Sequence, residues 1–256
     1  MTIYKQGRNI ALTVAYDGTD FFGFQSQAGT GLPTIQESLE EAIFRLTGER
    51  VAVEGSGRTD TGVHAWGQVV NFFSESTIPP ERWMLALIPH LPSSIVIRDS
   101  KEAEPGFHAR FSAKEKTYVY QFYQGATASP FYRRYAYHVP YGLDLSAMEE
   151  AASYFQGEHD FRAFCAAGTK TKSFVREILA CTIKEEKPLL TLSVRGNGFL
   201  WHMVRIIAGT LLEVGAGKRQ PQEMPVLLGM GDRKRTGATL PPHGLILQSV
   251  VYNDAN

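Results

Sequence analysis

Two stretches near the N-terminus decide the fold, NIALTVAY (residues 9–16) and TIQESLEEAIFRLTG (residues 34–48). The first is an apolar run with β-branched residues, which predicts a strand. The second begins with Thr34 and has Glu37 three residues later, the spacing of a helix capping box. Gly48 is a suitable end for this helix. Its apolar positions recur at helical spacing and are Ile35, Leu39, Ile43 and Leu46.

The pattern continues through the first half of the chain, residues 1–104. Apolar runs alternate with turn residues, and a Pro-Pro pair provides a second helix start. The resulting order is β-α-β-β-α-β, the split βαβ or ferredoxin-like arrangement. The additional elements predicted here are strands at 51–54, 69–73 and 95–98, and a helix from Pro79 to about Leu91.

The second half, residues 105–256, repeats this order. We therefore expect an α+β protein whose two ferredoxin-like halves join into one mixed or antiparallel sheet, with helices on one face and a central cleft. The elements predicted in this half are strands at 116–122, 178–184, 189–194 and 245–252, a helix from Asp144 or Ser146 to about Phe155, and a helix from Leu200 to Val214.

Composition excludes several classes of protein. The 256 residues are 43% apolar and 20% charged, which is enough for a core and excludes general disorder. No apolar run approaches the ~20 residues that cross a bilayer, and residues 1–8 contain no apolar signal segment. Two cysteines, Cys165 and Cys181, exclude a disulfide framework and fit no metal-binding spacing. We expect a soluble cytoplasmic protein without a metal.

Charge is balanced overall but unevenly distributed. The chain has 26 basic and 26 acidic residues, yet residues 1–104 hold 8 and 13 (net −5) and residues 105–256 hold 18 and 13 (net +5). The segment 161–176 contains four cations and no acid. Such a segment suits phosphate contacts, although solvated surface charge is the alternative from the counts alone. Two further basic groups are Arg110 with Lys114 and Lys116, and Arg133 with Arg134.

The most unusual stretch is GSGRTDTGVHA (residues 55–65). Its three glycines allow tight turns and a close backbone approach to a ligand. Thr59 and Thr61 flank a single carboxylate, Asp60, and Arg58 lies two residues before it. Catalysis and ordinary turn chemistry both account for such a loop. It lacks the Lys-Ser/Thr ending of a P-loop, so a phosphate cradle is disfavoured.

This stretch resembles the signature of the TruA-type tRNA pseudouridine synthases, and the resemblance spans nearly the whole chain. The match at residues 57–65 is the most specific, and the order of the other motifs is shared. Phe22 stands where a tyrosine or tryptophan is common. The other matching segments are YDGT (16–19), FGFQ (22–25), FHAR (107–110), KTYVY (116–120), FLWHMVR (199–205) and PPHGL (241–245).

The resemblance implies isomerisation of uridine to pseudouridine at positions 38 to 40 of the tRNA anticodon stem-loop, without a cofactor. The bond from ribose C1′ to uracil N1 breaks and C5 is bonded instead, so the detached base must be retained. A carboxylate suits this task, because an aspartate is ionised and nucleophilic at neutral pH. Attack at C1′, attack at uracil C6 and abstraction of a ribose proton all remain open.

Three residues match the family's catalytic positions: Asp60, Tyr118 and Arg205. Tyr118 would stack on the uracil and accept the C5 proton, although its strand period also fits a core position. Arg205 has no acid at i±3 or i±4 on its own predicted helix, and the resemblance implies that it pairs with Asp60. An Arg on the exposed edge of the helix is the alternative.

The remaining expected site residues bind RNA. Arg58 would fill the space of a flipped base or bind a neighbouring phosphate. The family acts as a homodimer, so the resemblance also implies a second copy of the chain. The residues predicted to contact the tRNA backbone are Arg110, Arg162, Lys170, Lys172 and Arg176.

Two other functions compete with this assignment. Asp17 follows a strand and could be the nucleophile of a phosphoryl-transfer enzyme, but it lacks a second acid two residues later and a convincing Mg²⁺ site. A non-catalytic tRNA-binding protein would explain the basic segments but gives Asp60 no task. Sensitivity to a chelator and formation of pseudouridine separate the three.

Overall fold

The computed structural model of the chain describes residues 7–26 and 31–253. The sequence predicts that residues 1–8 contain no signal segment, and residues 1–6 of that stretch lie outside the described part. Across the described residues, the fold is α+β, with ten strands in mixed sheet and five α-helices. The predicted fold class is confirmed, and the ferredoxin-like form of each half stays a prediction.

The chain divides into two compact units. Unit 1 comprises Met1–Lys114 and Leu247–Asn256, and unit 2 comprises Glu115–Ile246. The sequence predicts a division after residue 104. The structure assigns residues 247–252 of the C-terminal strand to unit 1, where the Tyr252 hydroxyl donates to the Ala109 carbonyl (2.7 Å) and its ring contacts Phe107.

The elements of unit 1 are β1 (Arg8–Tyr16), α1 (Ile35–Thr47), β2 (Glu54–Gly55), β3 (His64–Ser74), α2 (Trp83–Ala86), β4 (Ile95–Ala103) and the shared strand β10 (Leu245–Tyr252). Its sheet has the antiparallel order β4-β1-β3, with β2 also antiparallel to β3, and the unit-1 part of β10 follows β3. Buried residues of β1 and one face of α1 form the core, and Trp83 packs edge-on against Phe72 with ring centroids 5.1 Å apart.

The capping box of α1 is confirmed in full. The Thr34 hydroxyl accepts from the Glu37 amide (3.2 Å), and the Glu37 carboxylate accepts from the Thr34 amide (3.1 Å). Gly48 ends the helix with a φ of +77°, which a residue without Cβ adopts at little cost.

Two predictions in unit 1 are wrong. The helix expected at 79–91 is a short α2 flanked by two 3₁₀ turns, because Pro89 has no amide to continue a helix. The strand expected at 51–54 is reduced to the two residues of β2, which pair with Asn71 and Val70.

The elements of unit 2 are β5 (Ala113–Gln124), β6 (Tyr137–Val139), α3 (Leu145–Ser153), β7 (Gly157–Asp160), β8 (Val175–Glu186), β9 (Leu189–Gly196), α4 (Met203–Gly215) and α5 (Glu223–Met230). They include an antiparallel sheet in the order β5-β9-β8-β7, with β6 parallel to β5. The long helix expected from Leu200 begins at Met203, because His202 adopts a left-handed φ of +62° that interrupts it. Asp144, rather than Ser146, caps α3.

Candidate active site

The loop that carries Asp60 connects β2 to β3 in unit 1. The Asp60 carbonyl accepts from the Val63 amide (3.1 Å), closing a reverse turn. Gly62 is the third residue of this turn and has a φ of +76°, a conformation that favours glycine there. Asp60 is half-buried. The turn therefore fixes the backbone of Asp60, in agreement with the tight turn that the glycines of the motif predict.

A buried hydrogen-bond network lies beneath this loop. The Tyr16 hydroxyl bonds the Thr59 hydroxyl (2.8 Å), immediately before Asp60. Gln68 accepts from the Ser56 hydroxyl (2.5 Å) and donates to the Gly57 carbonyl (2.9 Å). Burial raises the pKa of Tyr16 to about 12, partly offset by its hydrogen bonds to Thr59 and Gln68. The network therefore holds Gly57 and Thr59, the residues on either side of Arg58, and Thr59 directly precedes Asp60.

The segment after β1 packs directly on the loop. The Thr59 carbonyl accepts from the Phe24 amide (3.1 Å). A Cβ on Gly23 would lie 2.6 Å from the same oxygen, and a Cβ on Gly18 would lie 2.0 Å from the Val63 carbonyl oxygen. Only glycine permits these approaches. The motifs at 16–19 and 22–25 thus position the loop from the other side.

Asp17, the alternative nucleophile, closes a local turn. Its Oδ1 accepts from the Thr19 amide (3.0 Å) and hydroxyl (2.5 Å), and lies 3.2 Å from His64 Nδ1. That nitrogen accepts from the Gly18 amide (3.0 Å), so the proton of a neutral imidazole is on Nε2. These contacts give Asp17 a structural role, so its place after β1 is explained without a phosphoryl-transfer function.

The network makes Tyr16→Phe informative. Removing the hydroxyl leaves the buried Thr59 without that partner, so we expect the free energy of unfolding to fall by about 1–2 kcal/mol and turnover to fall with it. The measurements are urea unfolding and the single-turnover rate well below the melting temperature. Lower stability with an unchanged rate would make the network structural only.

The same variant has an alkaline signature. Burial holds the folded-state pKa of Tyr16 at about 12 against an ordinary value of 10.0. The unfolded chain therefore ionises first, and the stability linked to this phenol is present below about pH 10 and lost as the pH rises towards 12. We expect Tyr16→Phe to lose less stability than wild type over that interval.

Two of the predicted RNA-binding cations also belong to unit 1. Arg58 is exposed, and within the described ranges its side chain makes no hydrogen bond or ion pair. The Arg110 guanidinium is exposed and lies 5.7 Å from the centroid of the exposed Phe111 ring. Both cations are therefore accessible to a ligand.

Tyr118 lies in unit 2, on β5 opposite Val194. It is 7% exposed, and its ring meets Phe199 edge-to-face with centroids 5.1 Å apart. Tyr120 and Phe122 on the same strand are also buried, as the strand period predicts. Phe199, from the motif at 199–205, thus fixes the orientation of the Tyr118 ring.

Arg205 is half-buried on α4. Its Nε donates to the Leu240 carbonyl (2.7 Å), and the Leu240 amide donates back to the Arg205 carbonyl (3.3 Å). Burial raises the pKa of the neighbouring Tyr120 hydroxyl, and the Arg205 cation opposes that rise. The guanidinium is therefore held by the backbone of a segment 35 positions away, a contact that no local sequence pattern predicts.

The structure separates the basic residues of the acid-free segment into two groups. Arg162 pairs with Asp160 (3.3 Å) and lies over the Phe174 ring. Arg176 donates to the Ser173 carbonyl (3.1 Å), and burial lowers the pKa of its guanidinium. Lys170 and Lys172 are exposed, and their ammonium groups have no protein partner among the residues described.

Sequence reasoning missed the residues of the buried network. Gln68 is a fully buried amide on β3, and Tyr16 is both the last residue of β1 and the first of the YDGT motif. A glutamine directly before the apolar pair Val69-Val70 of a strand was the available signal. Within the described part of the chain, no helix is long and apolar enough to span a membrane, and no three His, Cys, Asp or Glu side chains cluster as metal ligands would.

Comparison with known proteins adds the family. A family model described as tRNA pseudouridine synthase matches residues 12–112 and 151–253. A relative from Caldicellulosiruptor saccharolyticus, named tRNA pseudouridine synthase A, is 47% identical over 96% of this chain and 100% of its own. One of the same name from Brevibacillus brevis is 46% identical over 96% of this chain and 100% of its own. The solved archaeal box H/ACA sRNP Nop10-Cbf5 complex aligns at 11% identity with a TM-score of 0.36, covering 79% of this chain and 43% of its own, too distant to bear on the activity.

These matches define an RNA-modifying isomerase. The chain belongs to the tRNA pseudouridine synthase family. It is an enzyme that isomerises uridine in tRNA.

Proposed function

We propose that the enzyme converts uridine to pseudouridine at positions 38 to 40 of the anticodon stem-loop, with Asp60 as nucleophile and no cofactor. The observation that carries the role of Asp60 is the fixation of its loop. Thr59 is bonded on one side to Tyr16, and the Asp60 carbonyl is bonded to the Val63 amide on the other. A backbone fixed on both sides of residue 60 restricts where its carboxylate can reach, and this restriction supports a role in nucleophilic catalysis.

The chemistry needs the uracil to stay bound while it turns. We propose that the ring of Tyr118 stacks on the detached base, and its edge-to-face contact with Phe199 supports a fixed ring plane. The phenol hydroxyl is the proposed acceptor of the C5 proton. Attack of Asp60 at C1′, attack at C6 and abstraction of a ribose proton all use the same ionised carboxylate.

Arg58 and Arg205 have different proposed tasks. Arg58 is exposed beside the nucleophile, so it can occupy the space left by a flipped base or hold an adjacent phosphate. Arg205 keeps the Asp60 carboxylate ionised and oriented, as the absence of an acid at i±3 or i±4 on its own helix suggests.

The tRNA backbone is the proposed ligand of the other basic residues. Lys170 and Lys172 are the strongest candidates because they are exposed and unpaired within the described chain. Arg110 and Arg162 are exposed as well, whereas the backbone bonds of Arg176 make it a support for the segment. A homodimer, as the family resemblance implies, and a cytoplasmic location, as the sequence composition predicts, complete the proposal.

We expect Lys170→Ala combined with Lys172→Ala to weaken tRNA binding and to flatten its salt dependence. Removing one cation from a phosphate lowers the slope of log Kd against log salt by roughly one. The matched control is Lys184→Ala with Lys187→Ala, since these exposed lysines already face glutamates within 4.0 Å. An unaltered slope in the first variant would leave both lysines as solvated surface charge.

The test of the function uses protein dialysed against a chelator and an unmodified tRNA transcript. We expect pseudouridine at positions 38 to 40, mapped base by base, with full activity after dialysis. Loss of activity that a divalent metal restores would favour metal-dependent chemistry. Tight binding without any pseudouridine would favour the non-catalytic alternative.

A further inference from the structure

A basic and aromatic segment of unit 2 has no part in the site described above. It comprises residues 129–135, Ser-Pro-Phe-Tyr-Arg-Arg-Tyr, in the connection between β5 and β6. Phe131 is 84% exposed, the largest exposed fraction among the large apolar side chains of the described residues, and Tyr135 is 40% exposed. A single exposed apolar ring is common at protein surfaces, but a ring beside two exposed arginines forms a candidate ligand contact.

The backbone that presents these side chains is fixed. The Phe131 amide donates to the Ser129 hydroxyl (3.2 Å), and the Arg133 amide donates to the Ser129 carbonyl (3.1 Å). Tyr132 points inward and stacks on Tyr123 with ring centroids 5.0 Å apart and planes inclined by 21°. Phe131 therefore projects from a held turn, so its exposure is not a consequence of a loose loop.

Hydrogen bonds also join the two ends of the connection between β5 and β6. His138 Nε2 donates to the Gly125 carbonyl (2.7 Å), and β6 pairs in parallel with residues 122–124 of β5. The Tyr132 carbonyl accepts from the amide of Ala136, which is buried. Ordering this segment before a ligand arrives lowers the entropy cost of binding.

Its charge favours a polyanion. Residues 116–143 contain no Asp or Glu, and Arg133 and Arg134 are both exposed. The Arg133 side chain has no ion-pair or hydrogen-bond partner within the described ranges. Exposed aromatic rings next to arginines are typical of surfaces that bind single-stranded nucleic acid, because the rings stack on bases and the cations bind phosphates.

We propose that residues 129–135 form a second tRNA-contact surface, in which Phe131 stacks on an unpaired base and Arg133 binds an adjacent phosphate. The partner base must be unpaired, since bases within an RNA duplex are already stacked and its grooves present their edges. This inference rests on tRNA as the substrate and deepens the proposed function. It adds affinity for the tRNA and takes no part in the chemistry.

The test measures the Kd for an unmodified tRNA transcript by fluorescence anisotropy. We expect Phe131→Leu to weaken binding about tenfold and Phe131→Trp to bind within about twofold of wild type, because tryptophan stacks and leucine does not. Arg133→Ala should lower the salt slope by about 0.7–0.9. Arg45→Ala is the control, an exposed arginine already paired with Glu41, and should change neither quantity.

Each outcome bears on the inference. Wild-type affinity in Phe131→Leu overturns it, and so does an equal loss in Phe131→Trp. Dissociation of the protein into smaller species on sedimentation, without a change in tRNA affinity, would identify the surface as a protein contact instead. Thermal melting excludes misfolding as the cause of a loss. The binding assay needs no turnover, so its failure is separate from a failure of Asp60 or of the assigned tRNA positions.

Discussion

Asp60→Asn is expected to lower the single-turnover rate of pseudouridine formation by at least about 10³-fold while tRNA affinity stays nearly unchanged. The amide removes the charge and the nucleophilic oxygen but preserves the size of the side chain. The turn that holds residue 60 uses its backbone carbonyl, which the substitution leaves intact. Affinity for tRNA comes mainly from phosphate contacts elsewhere.

The matched control for this variant is Asp99→Asn. Asp99 is an exposed aspartate on β4, and its side chain makes no hydrogen bond or ion pair within the described chain. It should isomerise uridine at the wild-type rate. Near-normal turnover by Asp60→Asn would remove Asp60 from the chemistry, and an equal loss of tRNA affinity would make it a binding residue.

Arg205→Lys is expected to lower the rate by about 10²-fold although the charge is kept. The guanidinium uses Nε to bond the Leu240 carbonyl at 2.7 Å, and its planar fork can bind a carboxylate at the same time. A lysine offers one ammonium group without that fixed geometry. We therefore expect the variant to orient the Asp60 carboxylate poorly and to stabilise its charge less.

A comparison of rate with affinity separates this role from a structural one. With the Asp60 carboxylate poorly oriented, the single-turnover rate at saturating tRNA should fall while the Kd for tRNA stays near that of wild type. Arg219→Lys is the control, since Arg219 binds Glu213 and Glu223 through all three guanidinium nitrogens. It should lower stability without lowering the rate. Equal rates for Arg205→Lys and wild type would contradict the pairing.

Where local sequence determines structure, the fold was predictable. The α1 helix begins and ends where its capping box and Gly48 indicate, because both signals act within a few residues. The region 79–91 failed for a reason also present in the sequence: Pro89 interrupts an otherwise helical pattern. The start of α4 was not predictable, since a left-handed φ at a histidine depends on surrounding packing.

In the candidate site, too, the local features were predictable from sequence and the long-range contacts were not. The motif at 55–65 marks the loop and its carboxylate, but the support beneath it joins Tyr16 to Thr59 across 43 positions. Such long-range hydrogen bonds leave little trace in a single sequence. The basic segment shows the same limit, because only the structure distinguishes the exposed Lys170 from Arg176, which donates to the Ser173 and Val175 carbonyls.

Site mapping on four tRNA transcripts tests the central claim most directly. Three transcripts carry a single uridine within positions 38 to 40, one at each position, and the fourth carries none there. The account predicts pseudouridine at the one available position in each of the first three and no pseudouridine in the fourth, with every product absent for Asp60→Asn. Pseudouridine elsewhere in the fourth transcript, or its formation by Asp60→Asn, would contradict the account.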